Sequence, residues 1–459
     1  MIEMNKTVLI SFTILCLLFA VFLTGLSSNI QPVRASGTIY IRSDGSIEGT
    51  DRIQRDGNVY TFTDNIYDSI VVERDSIVVD GTGFILRGTG AQNSKGVALS
   101  GKSNVTIRNM IIETFWTGIW LNMSLNINIS GNLVTNNIGL GGIWLSNSSS
   151  NLISENDVMS NGNRGIQLFD SFNNTIYSND ISESNVEGVF LSRSSNNTIS
   201  GNNLTRNDRG VSVHAFSHCN LISGNYIANN EEYGVVLTVM AGGGNIISGN
   251  TIASNGHGIS LWSYGNFAYH NNFVNNTQQC MYASTNTWDD GYPSGGNYWS
   301  DYTGVDSDSD GIGDTPYIID EVNQDNYPSM GMFSDFNVAW EKETYYVTTI
   351  CNSTISDFQF NGTAICFDVT GEDETTGSCR ICIPTLLMYD TYRVFVNGTE
   401  VQHTLLPCSN ITHSYLYFAY PHSTQEIMIV PEFPSFLVLP LFMIATLLAA
   451  MLYRRKHST

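Results

Sequence analysis

The sequence predicts an all-β protein, in which a right-handed parallel β-helix is followed by a small antiparallel β-sandwich. A glycine-marked motif that returns every 22 to 24 residues, and a pair of asparagines that returns with it, predict the β-helix. Short alternating strands after residue 337 predict the sandwich. A period of this length is typical of solenoids, in which each repeat buries its apolar side against its neighbours.

The glycine-marked motif reads Gly, a β-branched residue, a variable residue, then Leu or Val. Its glycines are Gly96, Gly118, Gly142, Gly165, Gly188, Gly210, Gly234 and Gly258. The two apolar positions, such as Ile119 and Leu121, alternate with the variable residue, which is the pattern of a strand with one buried face. No helical periodicity lies between the glycines, so the motif predicts a strand in every repeat.

Asparagines mark a second position of the repeat. Each is followed five residues later by another, as Asn151 is by Asn156, and the first members are Asn151, Asn174, Asn197, Asn220, Asn245 and Asn266. Asn tolerates left-handed backbone angles at bends. Identical amides stacked about 4.8 Å apart can also form hydrogen-bonded ladders. The asparagines therefore indicate tight corners between short strands, as in a parallel β-helix.

The segment NNTISGNNLTRNDRGVSV, which begins at Asn196, resembles the NosD-like and carbohydrate-binding/sugar-hydrolase (CASH) β-helix repeats of periplasmic and archaeal surface proteins. The resemblance covers residues 38 to 328. It implies the fold more than an activity, because β-helices include lyases, hydrolases, adhesins and accessory proteins. A NosD-type role implies copper-enzyme maturation, for which clustered His, Met or Cys are expected. His214, His218 and Cys219 lie close in sequence, and the other histidines are scattered.

Both ends carry apolar runs that predict export and anchoring. Val8 to Leu26 precedes a small-residue site at Val33-Arg34-Ala35, the pattern of a signal peptide. A second run, followed by Arg454, is long enough to span a bilayer, with the basic end in the cytoplasm. The tail with VPEFP resembles the archaeal PEF-type sorting signal, and this resemblance implies that the apolar segment is cut and replaced by a lipid anchor.

These observations divide the chain into six parts. We expect a signal peptide at 1–35, the β-helix at 36–290, a calcium-loop cap at 291–330, a β-sandwich stalk at 337–430, a transmembrane anchor at 433–453 and a cytoplasmic tail at 454–459.

The composition fits an extracytoplasmic protein. A formal net charge of -22 argues against nucleic acid as a partner. Asn-x-Ser/Thr glycosylation sites such as Asn122 and Asn352 are frequent. Of eight cysteines, seven lie beyond the signal segment, so disulfides are expected with one thiol left over, and their connectivity stays open.

The local motif that is most specific for one chemistry is an acidic loop that follows the repeats. Asp306, Asp308, Asp310 and Asp314, with the carbonyl of Ile312, can direct oxygen ligands at a hard cation. The bidentate Glu of an EF-hand is missing, since Tyr317 stands at the twelfth position, and the loop is similar to thrombospondin type 3 calcium repeats. We expect a structural calcium ion, the alternative being an acidic turn without metal.

The variable residues of the motif should point outward, where they form a column along the solenoid. Trp120 and Trp144 lie on adjacent coils and Phe190 two coils further on, which suggests an aromatic platform for sugar rings. The alternative is that a loop or the N-terminal segment covers these rings.

The carboxylates near the glycines offer a different chemistry. Glu187, Asp208 and Glu232 come within reach on adjacent coils, so glycoside hydrolysis is conceivable, although solvated turn residues are the commoner case. Gly256-His257-Gly258 is similar to a polygalacturonase motif whose other catalytic segments are absent.

We therefore expect a membrane-anchored cell-surface protein that has a structural or glycan-binding role. The first alternative is a polysaccharide lyase or glycoside hydrolase, and the second is an accessory protein in copper-enzyme maturation.

Overall fold

The computed structural model describes residues 37–388 and 391–432, which form a parallel β-helix and an antiparallel β-sandwich. The all-β prediction is confirmed for this part of the chain. The predicted signal peptide, transmembrane anchor and cytoplasmic tail lie outside the described residues. Across residues 37–388 and 391–432, none of the secondary structure is a helix with the length and apolar character that crossing a membrane requires.

Each glycine-marked motif forms a strand of one long sheet, sheet A. The motif strands pair in parallel and in register, so that Ile119 lies opposite Ile143 and Trp120 opposite Trp144, whereas Ile47–Glu48 at the edge pairs antiparallel with Thr38–Ile41. The apolar positions of the motif face the core, as the alternation predicts. In spatial order, the strands are Ile47–Glu48, Thr38–Ile41, Ser69–Val72, Lys95–Ser100, Thr117–Asn122, Gly141–Ser146, Arg164–Phe169, Glu187–Ser192, Arg209–His214, Tyr233–Leu237, His257–Leu261 and Gln278–Ala283.

Two further sheets complete the central coils. Their strands are mostly three residues long, with one buried central residue such as Ile129 or Val134. Sheet B consists of Ile53–Asp56, Val59–Phe62, Val78–Asp80, Thr106–Arg108, Asn128–Ser130, Leu152–Ser154, Thr175–Tyr177, Thr198–Ser200, Leu221–Ser223, Ile246–Ser248 and Phe267–Tyr269. Sheet C consists of Ile85–Arg87, Ile111–Glu113, Leu133–Thr135, Asp157–Met159, Asp180–Ser182, Asn203–Thr205, Tyr226–Ala228, Thr251–Ala253, Asn272–Val274 and Tyr298–Trp299.

The repeated glycine is needed because the coils approach too closely for a side chain. A Cβ at Gly118 would lie 2.6 Å from the carbonyl oxygen of Gly142 and 2.7 Å from a methyl of Val134. The same clash with the next glycine's carbonyl recurs at Gly165 and Gly210. The glycine therefore reflects a close approach between the coils.

Asparagine side chains form three buried ladders through the solenoid. In each step, the backbone N–H and the side-chain Nδ2 of one Asn donate to the Oδ1 of the Asn in the next coil, at about 3 Å, as from Asn202 to Asn225. The first ladder is Asn151, Asn174, Asn197, Asn220, Asn245, Asn266 and Asn286. The second is Asn132, Asn156, Asn179, Asn202, Asn225, Asn250, Asn271 and Asn297. The third contains Asn137, Asn161, Asn207, Asn230, Asn255 and Asn276. The predicted ladders are thus present.

The first two ladders end on acceptors of the C-terminal cap. Asn323 accepts the N–H of Asn286 at 3.1 Å, and Asp325 accepts the N–H of Asn297 at 2.7 Å. The Asp325 carboxylate also accepts the indole N–H of Trp299. Burial raises the pKa of Asp325 to about 7, although its N–H donors favour the ionised form. The ladders therefore bind the cap to the last coils.

Aromatic rings close the end of the core. Phe273, Trp299 and Tyr317 stack with centroids 4.3 Å apart at each step. Tyr317 belongs to a hairpin with the strands Tyr317–Ile318 and Gln324–Asp325. The same hairpin contains Asn323 and Asp325, the acceptors on which the first two ladders end. This hairpin covers the last coil.

A β-sandwich follows the cap. Its first sheet has the order Met332–Trp340, Glu343–Cys351, Thr376–Pro384, His413–Pro421, His403–Leu405, and its second Thr354–Phe360, Ile365–Thr370, Thr424–Pro431, Tyr392–Val396, Thr399–Val401. The inner faces share one apolar core. The sandwich contacts the solenoid directly, since the Asn272 amide exchanges two hydrogen bonds with the Phe333 backbone and the His270 ring stacks on Phe333 at 4.2 Å.

The third ladder is interrupted at Ser184, and this generates a prediction. Ser184 stands between Asn161 and Asn207, and its buried hydroxyl has no hydrogen-bond partner among the described residues. Ser184→Asn should restore the side-chain hydrogen bonds that the third ladder lacks between Asn161 and Asn207. It should thereby raise the free energy of unfolding by roughly 1 kcal/mol or more. Chemical denaturation measures this difference.

Ser200→Asn on the outward side of sheet B is the matched control, and it should change stability by less than about 0.5 kcal/mol. A Ser184→Asn protein that is no more stable than the control would contradict the role given to the ladder.

Candidate functional site

The side chains of sheet A that point away from the core form a closely packed surface, which we call the outer face. Its middle column consists of the variable residues of the motif. Trp120, Trp144 and Phe190 are half-buried, whereas the others, Ala98, Gln167, Ser212, Val236 and Ser260, are buried by neighbouring columns. Most residues of this column are therefore less exposed than their outward direction alone would suggest.

The two tryptophans form one end of the outer face. Their ring centroids are 6.4 Å apart and the rings are inclined by 55°. The Lys95 ammonium lies 3.2 Å from the centroid of the Trp120 ring, and partial burial lowers the pKa of Lys95. The pair presents apolar ring surface beside a cation.

Phe190 belongs to a different environment from the tryptophans. The Arg164 guanidinium lies 3.9 Å from the centroid of its ring, and the His214 ring is 4.8 Å away. Arg164 also donates to the side-chain oxygen of Gln167 at 3.1 Å. The structure thus brings Trp120 and Trp144 together and separates them from Phe190 by Gln167.

An ion-pair cluster occupies the centre of the outer face. Arg164 Nε donates to Glu187 at 2.9 Å, and Arg209 Nε donates to Glu232 at 2.7 Å. Arg209 also lies 4.0 Å from Glu187 and 3.8 Å from Asp208. Burial raises the pKa of Glu187 despite Arg164, because only 3% of this residue is exposed. The three carboxylates considered for hydrolysis, Glu187, Asp208 and Glu232, therefore all lie near one arginine.

His214 lies beside this cluster in its neutral form. Burial and the nearby Arg164 and Arg209 lower the pKa of His214 to about 4. His257 lies 5.2 Å from the Tyr233 ring, measured between centroids. Neutral imidazoles can donate or accept hydrogen bonds, which suits them to ligand hydroxyls.

Unpaired polar atoms occur on the outer face as well as elsewhere in the described structure. Among the described residues, the enclosed side-chain atoms without a hydrogen-bond partner include Trp120 Nε1, Ser212 Oγ, His214 Nε2 and His257 Nδ1. Each enclosed unpaired group costs about 1–3 kcal/mol, so such groups call for an explanation other than stability. These atoms lie beneath the surface of the outer face, so a ligand would reach them only if neighbouring side chains moved.

The sequence reasoning missed an exposed apolar ridge at the turn from sheet A to sheet B. It includes Phe172, Phe216, Met240 and Tyr264, of which Tyr264 is 76% exposed. These residues recur six or seven residues after the motif glycines, a spacing that the sequence already contains. The ridge borders the outer face and widens its apolar surface.

The acidic loop of the cap brings three of its carboxylates together. Ligand oxygens of Asp306, Asp308 and Asp310 lie within 4.8 Å of one another. Asp306 accepts the backbone N–H groups of Asp310 and Gly311, both at 2.9 Å, which shapes the loop. Partial desolvation, together with the neighbouring carboxylates, raises the pKa of Asp308.

The other two predicted ligands have different surroundings. Asp314 lies outside this group in the described structure and accepts the Ser307 N–H at 2.7 Å. Ile312 is buried against Phe333 and Ile350, and its N–H donates to Asp310 at 2.8 Å. The loop thus has an acidic side and a side that packs on the sandwich.

Asp310 also forms a buried ion pair with the sandwich. Arg380 Nη1 donates to the Asp310 carbonyl at 2.6 Å and to its carboxylate at 3.1 Å, and Nη2 donates to the Pro293 carbonyl at 2.7 Å. The Asp310 and Arg380 side chains are 8% and 3% exposed. One carboxylate of the acidic group is therefore already balanced by a cation of the protein.

The residues considered for copper do not form a cluster. His214 is half-buried on the outer face, whereas His218 and Cys219 are exposed in the following turn. Within residues 37–388 and 391–432, the acidic loop is where three ligand atoms of His, Cys, Asp or Glu lie close enough together to hold a metal ion.

The three-sheet coils and the laddered core define a solenoid protein of the parallel β-helix class. The family model of the periplasmic copper-binding protein (NosD) matches residues 36–236 and 173–304, more than half of the chain, so the chain belongs to the NosD family. A probable ABC transporter binding protein NosD from Stutzerimonas stutzeri is 47% identical over 47 residues, 10% of this chain and 11% of that protein. The chain thus matches only about a tenth of that relative's length.

Solved structures with a similar solenoid include three proteins of low sequence identity. The Dettilon tailspike protein is 14% identical, with a TM-score of 0.38 and 86% of this chain and 85% of that chain covered. The periplasmic alginate epimerase AlgG is 16% identical, with a TM-score of 0.33 and coverage of 54% and 72%. DFA-IIIase from Arthrobacter chlorophenolicus A6, in complex with DFA-III, is 14% identical, with a TM-score of 0.35 and coverage of 52% and 59%.

Proposed function

We propose that this chain is an extracytoplasmic β-helix protein that binds glycans along the outer face of sheet A. The observation that carries the proposal is the Trp120–Trp144 pair, which adjoins a polar surface with charged side chains such as Lys95 and Arg164. Membership in a family described as periplasmic supports the location. Anchoring through 433–453 after export directed by 1–35 completes this proposal.

The chemistry of the outer face suits sugar chains. Apolar faces of sugar rings pack on aromatic rings such as those of Trp120 and Trp144. The hydroxyl groups of a sugar chain can form hydrogen bonds with a charged side chain such as Arg164 and with the neutral imidazole of His214. The coils repeat these groups at one strand spacing, so an extended chain can contact several coils at once.

The carboxylates favour binding over hydrolysis. A glycosidase requires one carboxyl group as an acid and another as a nucleophile or base. Glu187, Asp208 and Glu232 are instead grouped around Arg209, and Glu187 is almost fully enclosed. A lyase or hydrolase remains the alternative function, and its most direct candidate residue is Glu187.

A polysaccharide panel tests the proposal. The full chain, immobilised, should retain at least one neutral or acidic polysaccharide without releasing shorter products. Trp120→Ala with Trp144→Ala should weaken retention at least tenfold, or about 1.4 kcal/mol, because the ring surface is lost. Affinity chromatography with end-group analysis measures both quantities.

Tyr177→Ala, which removes an exposed aromatic ring from sheet B, is the control and should leave retention unchanged. Product release that Glu187→Gln abolishes would establish the enzyme alternative. Retention that survives loss of both tryptophans would place the glycan elsewhere.

We also propose that the acidic loop binds a structural calcium ion. Three carboxylates within 4.8 Å supply the hard oxygen donors that calcium prefers, and backbone carbonyls of the loop can add further ligands. Asp306, Asp308 and Asp310 would hold the ion, with Ile312 and Asp314 as the remaining predicted ligands. The ion would stabilise the loop that contacts the sandwich through Asp310.

Calcium removal tests this second proposal. Calcium should raise the melting temperature of the chelator-treated chain, and Asp308→Asn should reduce that increase, because it removes an exposed ligand that caps no backbone group in the described loop. Asp373→Asn in an exposed sandwich turn is the charge-matched control. Equal melting temperatures with calcium and with chelator would contradict a structural ion.

A role in copper-enzyme maturation is the second alternative, and the family's description is what favours it. It requires stoichiometric copper binding by the full chain.

A further inference from the structure

Two core cysteines of the sandwich lie directly opposite each other. Cys351 ends the strand Glu343–Cys351, and its partner across the sheet is Cys379 in Thr376–Pro384. The next residue, Asn352, donates its N–H to the Ser378 carbonyl at 3.3 Å. Asn352 and Ser378 are therefore the hydrogen-bonded pair of the two strands at this point. The cysteine pair therefore occupies a non-hydrogen-bonded site, where Cα atoms are about 4.5 Å apart. That separation lies within the range of disulfides, about 4.4–6.8 Å.

The two side chains also face the same way and touch. Both project into the core of the sandwich, where Cys351 is 1% and Cys379 0% exposed. The neighbouring Cys379 thiol lowers the pKa of Cys351 to about 7. The Cys379 thiol also donates to the Arg380 carbonyl, with the sulfur 3.8 Å from that oxygen. Burial raises the pKa of Cys379.

The remaining cysteines have other surroundings. Cys382 lies on the same strand as Cys379 but opposite Thr348, on the outer side of the sheet. Cys366 belongs to the second sheet, opposite Gln359. Cys408 lies near Arg380, and Cys219 and Cys280 belong to the solenoid. Cys351 and Cys379 are thus the pair that the strand register itself brings together.

We propose that Cys351 and Cys379 form a structural disulfide in the mature protein. Two S–H bonds break, one S–S bond forms, and two protons and two electrons leave the pair. The electrons pass to an extracytoplasmic oxidant, a dithiol oxidase or dioxygen, so the proposal rests on the location inferred above. The structure described here contains the two cysteines as thiols.

A chain of polar groups connects the pair to the edge of the sandwich. Cys351 Sγ lies 3.2 Å from the Tyr420 hydroxyl, which lies 2.9 Å from Ser353 Oγ. Ser353 Oγ in turn lies 2.8 Å from Nε2 of the half-buried His422. These contacts hold the Cys351 side chain in place in the folded sandwich. Because the sulfurs are enclosed, the oxidant must act before the sandwich closes, and the bond in the folded protein is shielded from reductants.

Differential alkylation of the exported full chain tests the proposal. Free thiols are blocked with N-ethylmaleimide in denaturant without reductant, and thiols released by reduction then receive iodoacetamide. Cleavage before aspartate and after arginine separates the cysteines, because Asp357, Asp368, Asp373 and Arg380 lie between them. Cys351 and Cys379 should carry the second label and appear as one linked pair before reduction. Cys366 should carry the first label.

Labelling of both Cys351 and Cys379 in the first step, or a link from either to another cysteine, would overturn the proposal. Cys351→Ser with Cys379→Ser should lower the melting temperature by roughly 10 °C or more, whereas Cys366→Ser should not. Equal melting temperatures of these two variants would count against the bond. None of these results depends on glycan binding, so the two proposals fail independently.

Discussion

The buried asparagine ladders are the constraint on which the solenoid depends. Each amide leaves water, and its donors must find acceptors in the same coil and the next. Because every step runs in the same direction, the ladder needs a final acceptor after the last coil. Asn323 and Asp325 provide it, and Asp325 has no side-chain donor when it is ionised. The cap therefore completes the hydrogen bonding of the solenoid, although the sequence repeat ends before it.

The same spacing that aligns the amides also builds the outer face. Residues 22 to 24 apart in sequence become neighbours about 4.8 Å apart, which pairs Trp120 with Trp144 and Arg164 with Glu187. Aromatic and charged residues that are far apart in the sequence therefore lie next to each other in columns along the solenoid. The acidic loop and Arg380 then attach the sandwich to the last coils, so the face, the cap and the sandwich form one continuous structure.

The repeat made much of this fold predictable. The alternation of Ile119 and Leu121 gave the buried positions, and Asn151 and Asn156 indicated two ladders. The third ladder was harder to see because Ser184 interrupts it. The burial of side chains on the outer face depends on how neighbouring columns pack. The periodicity of the sequence therefore could not predict that the Arg164 guanidinium covers the Phe190 ring. The contact between Asp310 and Arg380 joins segments with no common repeat, and only the folded chain reveals it.

The ladder is tested most directly by removing one buried amide from its middle. Asn225 accepts two hydrogen bonds from Asn202 and donates to Ile199, Ser223 and Asn250. Asn225→Ala should lower the free energy of unfolding by about 2–4 kcal/mol, because it leaves several enclosed groups unpaired. Asn185→Ala, at an exposed site with one hydrogen bond to Gly162, should cost less than about 0.5 kcal/mol. Equal losses for the two variants, measured by chemical denaturation, would contradict the account.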